Sequence, residues 1–474
     1  MPGRKYDAVV VGSGPNGLAA AITIARAGRS VLVVEAEAEF GGGMRSAELT
    51  LPEFIHDICS TAHPMAQISS FFRSLPLTKI GLEWAHPPAP LAHPLDDGTA
   101  AVLERSVDET AKGLGRDGDA YRRLFGPLVD KAGQLFGDAL APLGIPRHPL
   151  VLARFGLRAI RSARGLARSW FKEPRSQALF AGLAAHSMIP LEKPLSAAVA
   201  LVLGATGHVA GWPVARGGSQ KIANAMLAYL RALGGEAIAG KRVDSFDQIP
   251  PARVVLFDTS PGPMSRICGD RLPKTYRSRL AQFRHGPGVF KLDWALAGPI
   301  PWKAPECGRA ATVHLGGTLE EVADSERRAW RGEYCERPFV LLAQQTICDP
   351  TRAPSGQHTG WAYCHVPNGS PVNMTERIEA QVERFAPGFR QLILARHVMA
   401  PAEFQKHNAN YIGGDIGGGA MNFSQTFTRP VARLVPYSTP NRGIYLCSAS
   451  TPPGPGVHGL CGYFAAKAAL KRID

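Results

Sequence analysis

A glycine-rich turn between an apolar strand and a helix constrains the fold of this chain more than any other feature. The turn, residues 12–17, has the spacing G-x-G-x-x-G. The short β-branched run Tyr6 to Val11 precedes it and predicts a buried parallel strand. Small and apolar residues from Asn16 to Ala27 predict a helix, and a second strand is predicted over residues 30–34, directly before Glu35. This order predicts a Rossmann-like α/β domain.

Each part of the turn has a physical task in binding a dinucleotide. Gly12 permits the tight turn, Gly14 lets the backbone approach a diphosphate, and Gly17 lets the helix pack closely against the strand. Pro15 and Asn16 lie at the helix N-terminus, where free N–H groups and a partial positive charge favour a phosphate. These five residues are therefore candidate cofactor contacts.

Glu35 ends the second strand and is placed to bind a ribose. Its carboxylate follows the turn by about twenty residues, the usual spacing for accepting hydrogen bonds from ribose hydroxyls. An acid there disfavours a 2′-phosphate, so FAD or NAD is favoured over NADP. No second G-x-G-x-x-G follows a strand, which argues against a separate nicotinamide domain. The electron acceptor is therefore left open, with oxygen and a quinone as candidates.

The end of the sequence distinguishes between the two cofactors. A strand is predicted from Ile444 to Cys447, a loop of Ser, Thr, Pro and Gly over residues 448–456, and a helix from Gly459 to Arg472. The N-terminus of that helix can stabilise negative charge on a reduced flavin, which favours FAD. The candidate flavin contacts in this segment are Ser450, Gly456, Val457, Gly459 and Leu460.

A second glycine cluster follows Glu35 in the stretch AEAEFGGGMRS. In this cluster and in the C-terminal strand, loop and helix, the chain resembles the phytoene desaturase-like flavoproteins of the glutathione-reductase-type FAD superfamily. Gly43 stands where that superfamily usually has Arg, and Arg45 follows two positions later. The resemblance implies further FAD contacts at Ala36, Gly42, Gly43, Met44, Arg45 and Val243.

The resemblance also implies a discontinuous domain organisation. A Rossmann-like FAD-binding domain is expected at residues 1–75, 205–262 and 425–474. A substrate domain of mixed or antiparallel sheet plus helices is expected at residues 76–204 and 263–424. Within the middle FAD segment, an amphipathic helix, an edge strand in KRVDSFDQI and a buried strand in ARVVLFDTSP are predicted, in that order.

The net charge of +14 favours anionic partners, and it is concentrated in residues 147–172, which hold seven Arg and Lys residues and no acid. Their spacing predicts a basic amphipathic helix, which either lies on an anionic bilayer or is a solvated helix over a substrate tunnel. The resemblance to peripheral membrane enzymes is compatible with the first alternative. No nucleic-acid motif accompanies the charge, so nucleic acid is not an expected partner.

The eight cysteines have neither C-x-x-C nor zinc spacing, so reduced thiols and no metal site are expected. An apolar signal core and an apolar run long enough to span a bilayer are both absent from the sequence. A cytoplasmic protein is expected, with the inner face of the membrane as a peripheral site.

The resemblance implies an FAD-dependent oxidoreductase that takes a hydride from an apolar terpenoid, carotenoid or lipid-like substrate. Two alternatives use the same flavin to oxidise an amine or to isomerise double bonds. A third is a non-catalytic FAD-binding membrane or assembly factor. The candidates for acid–base or substrate contact are His458, His56, Asp57 and Arg429.

Overall fold

The computed structural model describes residues 5–473, so the expected domain limits at residues 1–4 and 474 lie outside the described residues. Its strands are β1 Tyr6–Val11, β2 Val31–Val34, β3 Ser46–Glu48, β4 Ile55–Asp57, β5 Trp84–Ala85, β6 Ala89–Pro94, β7 Ala100–Leu103, β8 Val214–Ala215, β9 Glu236–Ile238, β10 Ala252–Phe257, β11 Gly288–Leu296, β12 Ala310–Leu315, β13 Val340–Ala343, β14 His358–Val366, β15 Ile393–Met399 and β16 Ile444–Leu446.

The α-helices are α1 Pro15–Arg26, α2 Pro64–Ile68, α3 Ser70–Arg73, α4 Val107–Gly113, α5 Gly118–Asp130, α6 Ala132–Ala139, α7 Pro149–Ala159, α8 Ala163–Trp170, α9 Pro174–Ala185, α10 Ser196–Ala210, α11 Gln220–Ala232, α12 Pro261–Cys268, α13 Lys274–Leu280, α14 Leu319–Arg331, α15 Thr375–Phe385, α16 Pro401–His407, α17 Phe423–Thr428 and α18 Leu460–Ile473. None of the helices in residues 5–473 is both long and apolar enough to cross a bilayer.

A five-stranded parallel sheet has the order β16–β10–β1–β2–β9. In register, Val9 of β1 lies between Val255 of β10 and Leu32 of β2. The alternate residues Ala8 and Val10 pack with apolar side chains of α1, α11 and α18, while Val9 and its face pack with α12 and α13. Apolar burial on both faces is typical of a parallel sheet, and it confirms the predicted Rossmann-like domain.

A seven-stranded mixed sheet has the order β15–β11–β14–β13–β12–β6–β7, in which only the β12–β6 pair is parallel. One face packs against α15. The other face packs with α5, α9, α10 and α14. This face borders the cavity that begins at the carboxyl ends of the parallel strands. The mixed sheet and the helices of the second domain therefore form opposite walls of one cavity.

The predicted edge strand in residues 241–249 is wrong, since the edge of the parallel sheet is β9. Residues 246–248 form a single 3₁₀ turn instead. The Ser245 side chain accepts a hydrogen bond from Asp247 N, and the Gln248 side chain accepts from Asp244 N and Ser245 N. These local side-chain bonds satisfy backbone groups that a strand would have paired with a neighbour.

The predicted single basic helix over residues 147–172 is also wrong, because residues 160–162 separate α7 from α8. Ser162 caps α8 by accepting a hydrogen bond from Gly165 N at 3.2 Å. On α8, Arg164 and Arg168 both pair with Glu320, at 2.8 and 2.7 Å. The basic side chains therefore do not share one continuous face. Two of them, Arg164 and Arg168, form ion pairs with an acid of the same chain.

Two of the expected domain limits fall within helices. The limit between residues 204 and 205 lies inside α10, whose residues 200, 201 and 205 belong to the same apolar core as α5 and α9. The limit between residues 424 and 425 lies inside α17. Since α10 packs with the substrate-side helices along its length, it connects the two domains as one continuous element.

Candidate cofactor and substrate site

A cavity of about 1540 Å³ begins at the carboxyl ends of β1, β2 and β10 and extends to the mixed sheet. Ligands of open parallel sheets bind at this edge. Its lining includes residues 11–16 and 34–37 at one end, and residues 448–450 and 455–458 of the late loop. The other end lies between the mixed sheet and the segment from α6 to α10. The two ends of the sequence therefore meet on one cavity.

Close backbone approach explains the glycines of the first turn. Gly12 has φ of +100°, which a side-chain-bearing residue rarely adopts. A Cβ on Gly17 would overlap with the carbonyl oxygen of Gly12, and a Cβ on Gly462 in α18 would overlap with that of Asn16. Gly14 is the N-cap of α1 and offers no side chain to its free N–H groups. The backbone of this turn thus lines the cavity where an anionic ligand can approach it, although Asp258 Oδ2 already accepts the Gly17 N–H at 2.8 Å.

Hydrogen bonds from nearby residues fix the position of the Glu35 carboxylate. Its carboxylate accepts hydrogen bonds from Ser13 N at 2.8 Å, from Ser13 Oγ at 2.5 Å and from Glu37 N at 3.0 Å. The side chain is 8% exposed and lines the cavity, with Ala36 and Val243 beside it in the lining. A carboxylate oxygen has two lone pairs, so this geometry leaves acceptor capacity for ribose hydroxyls.

Asp258, which follows β10, is a site residue that the sequence reasoning missed. Gly17 N donates to its Oδ2 at 2.8 Å, and the side chain lines the cavity beneath the glycine turn. Burial, together with the nearby Glu35 carboxylate, raises the pKa of Asp258 to about 7, against the lowering effect of the Gly17 and Gly14 N–H groups. The sequence feature that could have indicated Asp258 is its position directly after the third predicted parallel strand.

The second glycine cluster lies directly against the first. A Cβ on Gly42 would be 3.0 Å from Gly14 Cα. Arg45 donates from Nε to Gly42 O at 3.1 Å and from Nη2 to His407 O at 2.8 Å. Gly43 and Arg45 line the cavity, whereas Met44 lies in the apolar core of the parallel-sheet domain. The cluster therefore contributes backbone and one cation to the cavity wall.

The late loop brings Ser450, Gly456 and Val457 to the cavity, while Gly459 and Leu460 lie behind its lining. A Cβ on Gly459 would be 2.8 Å from Phe71 Cδ1, so this glycine serves close packing at the start of α18. The loop and the N-terminus of α18 thus face the same interior space as the first turn.

His458 holds the loop through both of its ring nitrogens. Nδ1 accepts a hydrogen bond from Leu460 N at 3.0 Å, so Nε2 carries the proton and donates to Gly454 O at 3.1 Å. Burial lowers the pKa of His458 to about 4. Because both nitrogens are bonded to backbone, the structure gives this residue a positioning role, in contrast to the acid–base role considered from the sequence.

His56 and Asp57 do not reach the cavity lining; both are fully buried on β4. Asp57 pairs with Arg352 at 2.9 Å and accepts from Ser219 N at 2.7 Å. The Arg352 guanidinium and these hydrogen bonds hold the pKa of Asp57 at about 2 despite its burial, which acts in the opposite direction. His56 Nε2 is 2.8 Å from Thr50 Oγ1. The expectation that they approach the substrate is wrong, because β4 carries them into a buried polar network.

Arg429 is 2% exposed and lies behind the loop rather than in the cavity lining. Its Nη2 donates to Gly418 O at 3.2 Å and to Gly419 O at 3.4 Å. Burial lowers the pKa of Arg429. These contacts contradict the expected substrate contact: the guanidinium ties the glycine segment 417–419, which does line the cavity, to α17.

The cofactor end of the cavity fits FAD. Two glycine turns and the N-terminus of α1 suit a diphosphate, and the Glu35 carboxylate suits a ribose. Asn16 Oδ1 is buried in the lining and has no hydrogen-bond partner within residues 5–473. The individual roles of the lining residues stay predictions, but their arrangement matches the shape and polarity of a flavin dinucleotide.

Comparisons with known proteins agree with this geometry. Residues 10–75 match the family described as NAD(P)-binding Rossmann-like domain. The pyridine nucleotide-disulfide oxidoreductase domain-containing protein 2 of Rattus norvegicus is 26% identical over 98% of this chain and 93% of its own. The lycopene-forming phytoene desaturase of Paracoccus sp. is 24% identical over 98% of this chain and 97% of its own. The chain is therefore similar to phytoene desaturases over nearly its whole length, and it is an FAD-dependent oxidoreductase.

A solved structure with the same fold is the cyclohexylamine oxidase from Brevibacterium oxydans IH-35A. It superposes on this oxidoreductase with a TM-score of 0.60 at 16% identity, and the match covers 99% of each chain. This likeness extends the fold assignment to both domains. The resemblance predicted from the sequence, and the FAD assignment that came with it, are confirmed.

Proposed function

We propose that this oxidoreductase is a dehydrogenase that takes a hydride from an apolar, terpenoid or lipid-like substrate. The observation that carries the proposal is the apolar end of the cavity, which is continuous with the cofactor end. It is lined by Leu152, Phe155, Leu157, Ile160, Met188, Leu195, Val199, Val202, Leu203 and Leu341. Such a surface binds hydrocarbon by removing it from water.

The charges of the cavity support an apolar substrate over an amine. Among the lining acids, Glu35 and Asp258 lie at the dinucleotide turn. Asp415 is 1% exposed and already accepts hydrogen bonds from Gly286 N and Gly419 N, both at 2.9 Å. Asp138, in the lining beside the apolar end, already accepts hydrogen bonds from Arg147 N at 3.2 Å and His148 N at 2.7 Å. An ammonium group among the apolar side chains would therefore lose its hydration without meeting an unbonded carboxylate, which is costly.

The chain's own residues position the reaction. The first turn and Glu35 hold the dinucleotide, and the apolar wall orients the substrate and excludes water. When bound, FAD supplies the hydride acceptor. His458 holds the late loop and Arg429 holds the glycine segment 417–419, and both stretches of backbone line the cavity.

The test is anaerobic bleaching of the visible flavin absorption of the holoprotein by terpenoids, fatty acyl lipids, amines or NAD(P)H. Bleaching by a terpenoid or lipid supports the proposal. Bleaching by an amine alone assigns the amine-oxidase alternative, and a stable yellow protein that no compound reduces assigns the non-catalytic alternative. Either of these two results contradicts the dehydrogenase proposal.

Matched variants on α10 link the reaction to the cavity. Ala198 lines the apolar end, so Ala198→Trp fills it and is expected to raise KM by at least tenfold with unchanged FAD content. Val209 is 39% exposed on the same helix and outside the lining, so Val209→Trp is expected to leave KM unchanged. Equal KM values for the two variants would contradict substrate binding in this cavity.

We also propose that the cavity entrance contacts an anionic bilayer. The entrance surface, residues 143–160, exposes Leu143 at 69%, Ile145 at 99% and Leu150 at 85%, which is unusual for so many large apolar side chains together. Arg147 and Arg154 are exposed among them. Apolar insertion combined with basic side chains favours a membrane with anionic head groups.

Vesicle flotation tests this partner. The protein is expected to float with vesicles of phosphatidylglycerol and phosphatidylcholine, and much less with phosphatidylcholine alone. Ile145→Ser with Leu150→Ser should lose flotation, whereas Leu434→Ser, at a residue equally exposed outside the entrance surface, should keep it. Flotation that is unchanged in the double variant would contradict membrane contact at this surface.

A further inference from the structure

A short segment of the second domain, residues 407–411, reaches the cofactor end of the cavity. It begins at the last residue of α16, and residues 408–411 belong to the cavity lining. Its neighbours in space are glycines of the second cluster. A Cβ on Gly43 would overlap with the Tyr411 hydroxyl, and a Cβ on Gly42 would be 3.9 Å from Asn408 Nδ2. Both domains therefore contribute to the wall beside the glycine turns.

Hydrogen bonds fasten this segment to the parallel-sheet domain at both of its ends. At the first end, Arg45 Nη2 donates to His407 O at 2.8 Å. At the other end, Asn410 Oδ1 accepts from Ser260 N at 2.9 Å, and Asn410 Nδ2 donates to Asp258 O at 3.1 Å. Ser260 Oγ also donates to Asn410 O at 3.1 Å. The segment is thus held against the loop that follows β10.

The Asn408 amide has a defined orientation within this segment. Its Oδ1 accepts a hydrogen bond from Asn410 N at 3.1 Å. A backbone N–H only donates, so the atom that it meets is the oxygen, and Nδ2 lies on the other side of the amide. The Tyr411 hydroxyl interacts with the same side chain and takes one of the two Nδ2 hydrogens. The other N–H is left for a ligand.

The place of Asn408 Nδ2 suits a phosphate oxygen. Nδ2 lies next to Gly42, and a Cβ on Gly42 would be 3.0 Å from Gly14 Cα, so this amide is beside both glycine turns. A diphosphate carries only acceptors, and a hydrogen bond to a charged acceptor is stronger than one between neutral groups. Glu35 and Asp258 are acids at the same end of the cavity, so phosphate binding there gains from every additional donor.

We propose that Asn408 is a ligand of the FAD diphosphate that the second domain supplies, with Nδ2–H donating to a non-bridging phosphate oxygen. Asn410 is a positioning residue, because its side chain fixes the segment and its N–H orients the Asn408 amide. FAD binding therefore connects the two domains across the cavity. The inference rests on the FAD assignment and is independent of the proposed dehydrogenation.

Titration of the FAD-free protein with FAD, followed by flavin fluorescence, tests the Asn408 contact. Asn408→Ala is expected to raise the Kd of FAD about tenfold, the ratio that corresponds to about 1.4 kcal/mol. Asn408→Asp keeps the oxygen that accepts Asn410 N but replaces the donor with a negative charge. It is expected to raise the Kd at least a hundredfold, roughly the effect of losing a charge-assisted hydrogen bond and adding repulsion. If Asn408 served only the segment, Asp would instead restore the original Kd.

Asn373→Asp is the matched control. Asn373 is exposed outside the cavity lining, and its Oδ1 accepts from Thr375 N at 2.8 Å, two residues on, as Asn408 Oδ1 accepts from Asn410 N. This change should leave the Kd of FAD within about twofold. Asn410→Ala should weaken FAD binding about as much as Asn408→Ala, and the double variant no more than either single change, because both act through one contact.

An unchanged Kd of FAD in Asn408→Asp, or an equal rise in Asn373→Asp, would overturn the diphosphate contact. Should Asn408→Asp fail to fold, which urea unfolding of the FAD-free protein shows, an unchanged Kd in Asn408→Ala would overturn it too. Additive effects in the double variant would refute the positioning role of Asn410. FAD binding is measured without turnover, so weakened binding with no bleaching by any compound would refute the dehydrogenase alone. Bleaching by a terpenoid with an unchanged Kd in both Asn408 variants would refute the diphosphate contact alone.

Discussion

Replacing Asp258 with Asn tests whether the carboxyl group beneath the glycine turn is under electrostatic strain. Burial raises the pKa of Asp258 from an ordinary value of 3.8 to about 7. The folded chain therefore retains a proton that the unfolded chain has released between these two pH values. Stability conferred by the protonated group is complete below about pH 4 and is lost progressively as the pH rises toward 7.

The magnitude follows from that pKa difference. Each pH unit between 3.8 and about 7 contributes about 1.36 kcal/mol, so the full cost above pH 7 is about 4 kcal/mol. Asn keeps the oxygen that accepts the Gly17 N–H at 2.8 Å but cannot ionise. Asp258→Asn is therefore expected to match the unchanged protein near pH 4 and to be more stable by up to about 4 kcal/mol at pH 8.

Urea unfolding of the FAD-free protein between pH 4 and pH 8 measures this difference, with the exposed Asp130→Asn as control. FAD affinity gives a second measurement. Ionised Asp258 repels a diphosphate at the same helix N-terminus, so affinity should weaken above pH 7 in the unchanged protein and stay level in the variant. A stability difference that does not grow between pH 5 and pH 8 would refute the reasoning.

Three further changes test other contacts. Gly462→Ala places a methyl group against Asn16 O, so it should lower the free energy of unfolding by about 1–3 kcal/mol and weaken FAD binding. Gly133→Ala, at a helical glycine with open space around it, should change neither. Urea midpoints and FAD titration measure the two effects. Arg352→Met leaves the buried Asp57 and Asp349 without their partner, so it should lower the free energy of unfolding by about 3–5 kcal/mol. Arg122 forms a surface ion pair, so Arg122→Met should leave the urea midpoint nearly unchanged. His458→Gln should weaken FAD binding without changing the pH profile of kcat, because both ring nitrogens bond backbone; a lost limb of that profile would contradict a positioning role.

Local sequence pattern was sufficient for the elements that hold the dinucleotide. Strands β1 and β2, helix α1 and the late strand and helix all begin and end within about one residue of their predicted limits. Such segments are predictable because tight turns, apolar periodicity and helix ends depend on near neighbours. The edge strand failed for the same kind of reason: Ser245 and Gln248 supply a local alternative that the apolar pattern does not reveal.

The candidate site divides in a similar way. The glycine turn, Glu35 and the late loop were predicted because short stretches of neighbouring residues carry the motifs that indicate cofactor binding. Asp57 was misjudged because its partner Arg352 lies far along the chain, and only that pairing shows that the carboxylate is structural. His56 was misjudged for a similar reason, since its Nδ1 lies 3.6 Å from the distant Asp293. Residues whose importance depends on a distant partner carry no local signal.

Sequence by itself therefore predicted that the chain has a Rossmann-like domain and that both ends contribute to one flavin site. Tertiary structure decided that Asp258 lies against Gly17, that Gly462 packs against Asn16, and that His186 in the cavity lining is hydrogen-bonded to the buried His314. The physical reason is that backbone requirements act between adjacent residues, whereas burial, pKa and hydrogen-bond satisfaction depend on every element packed around a group.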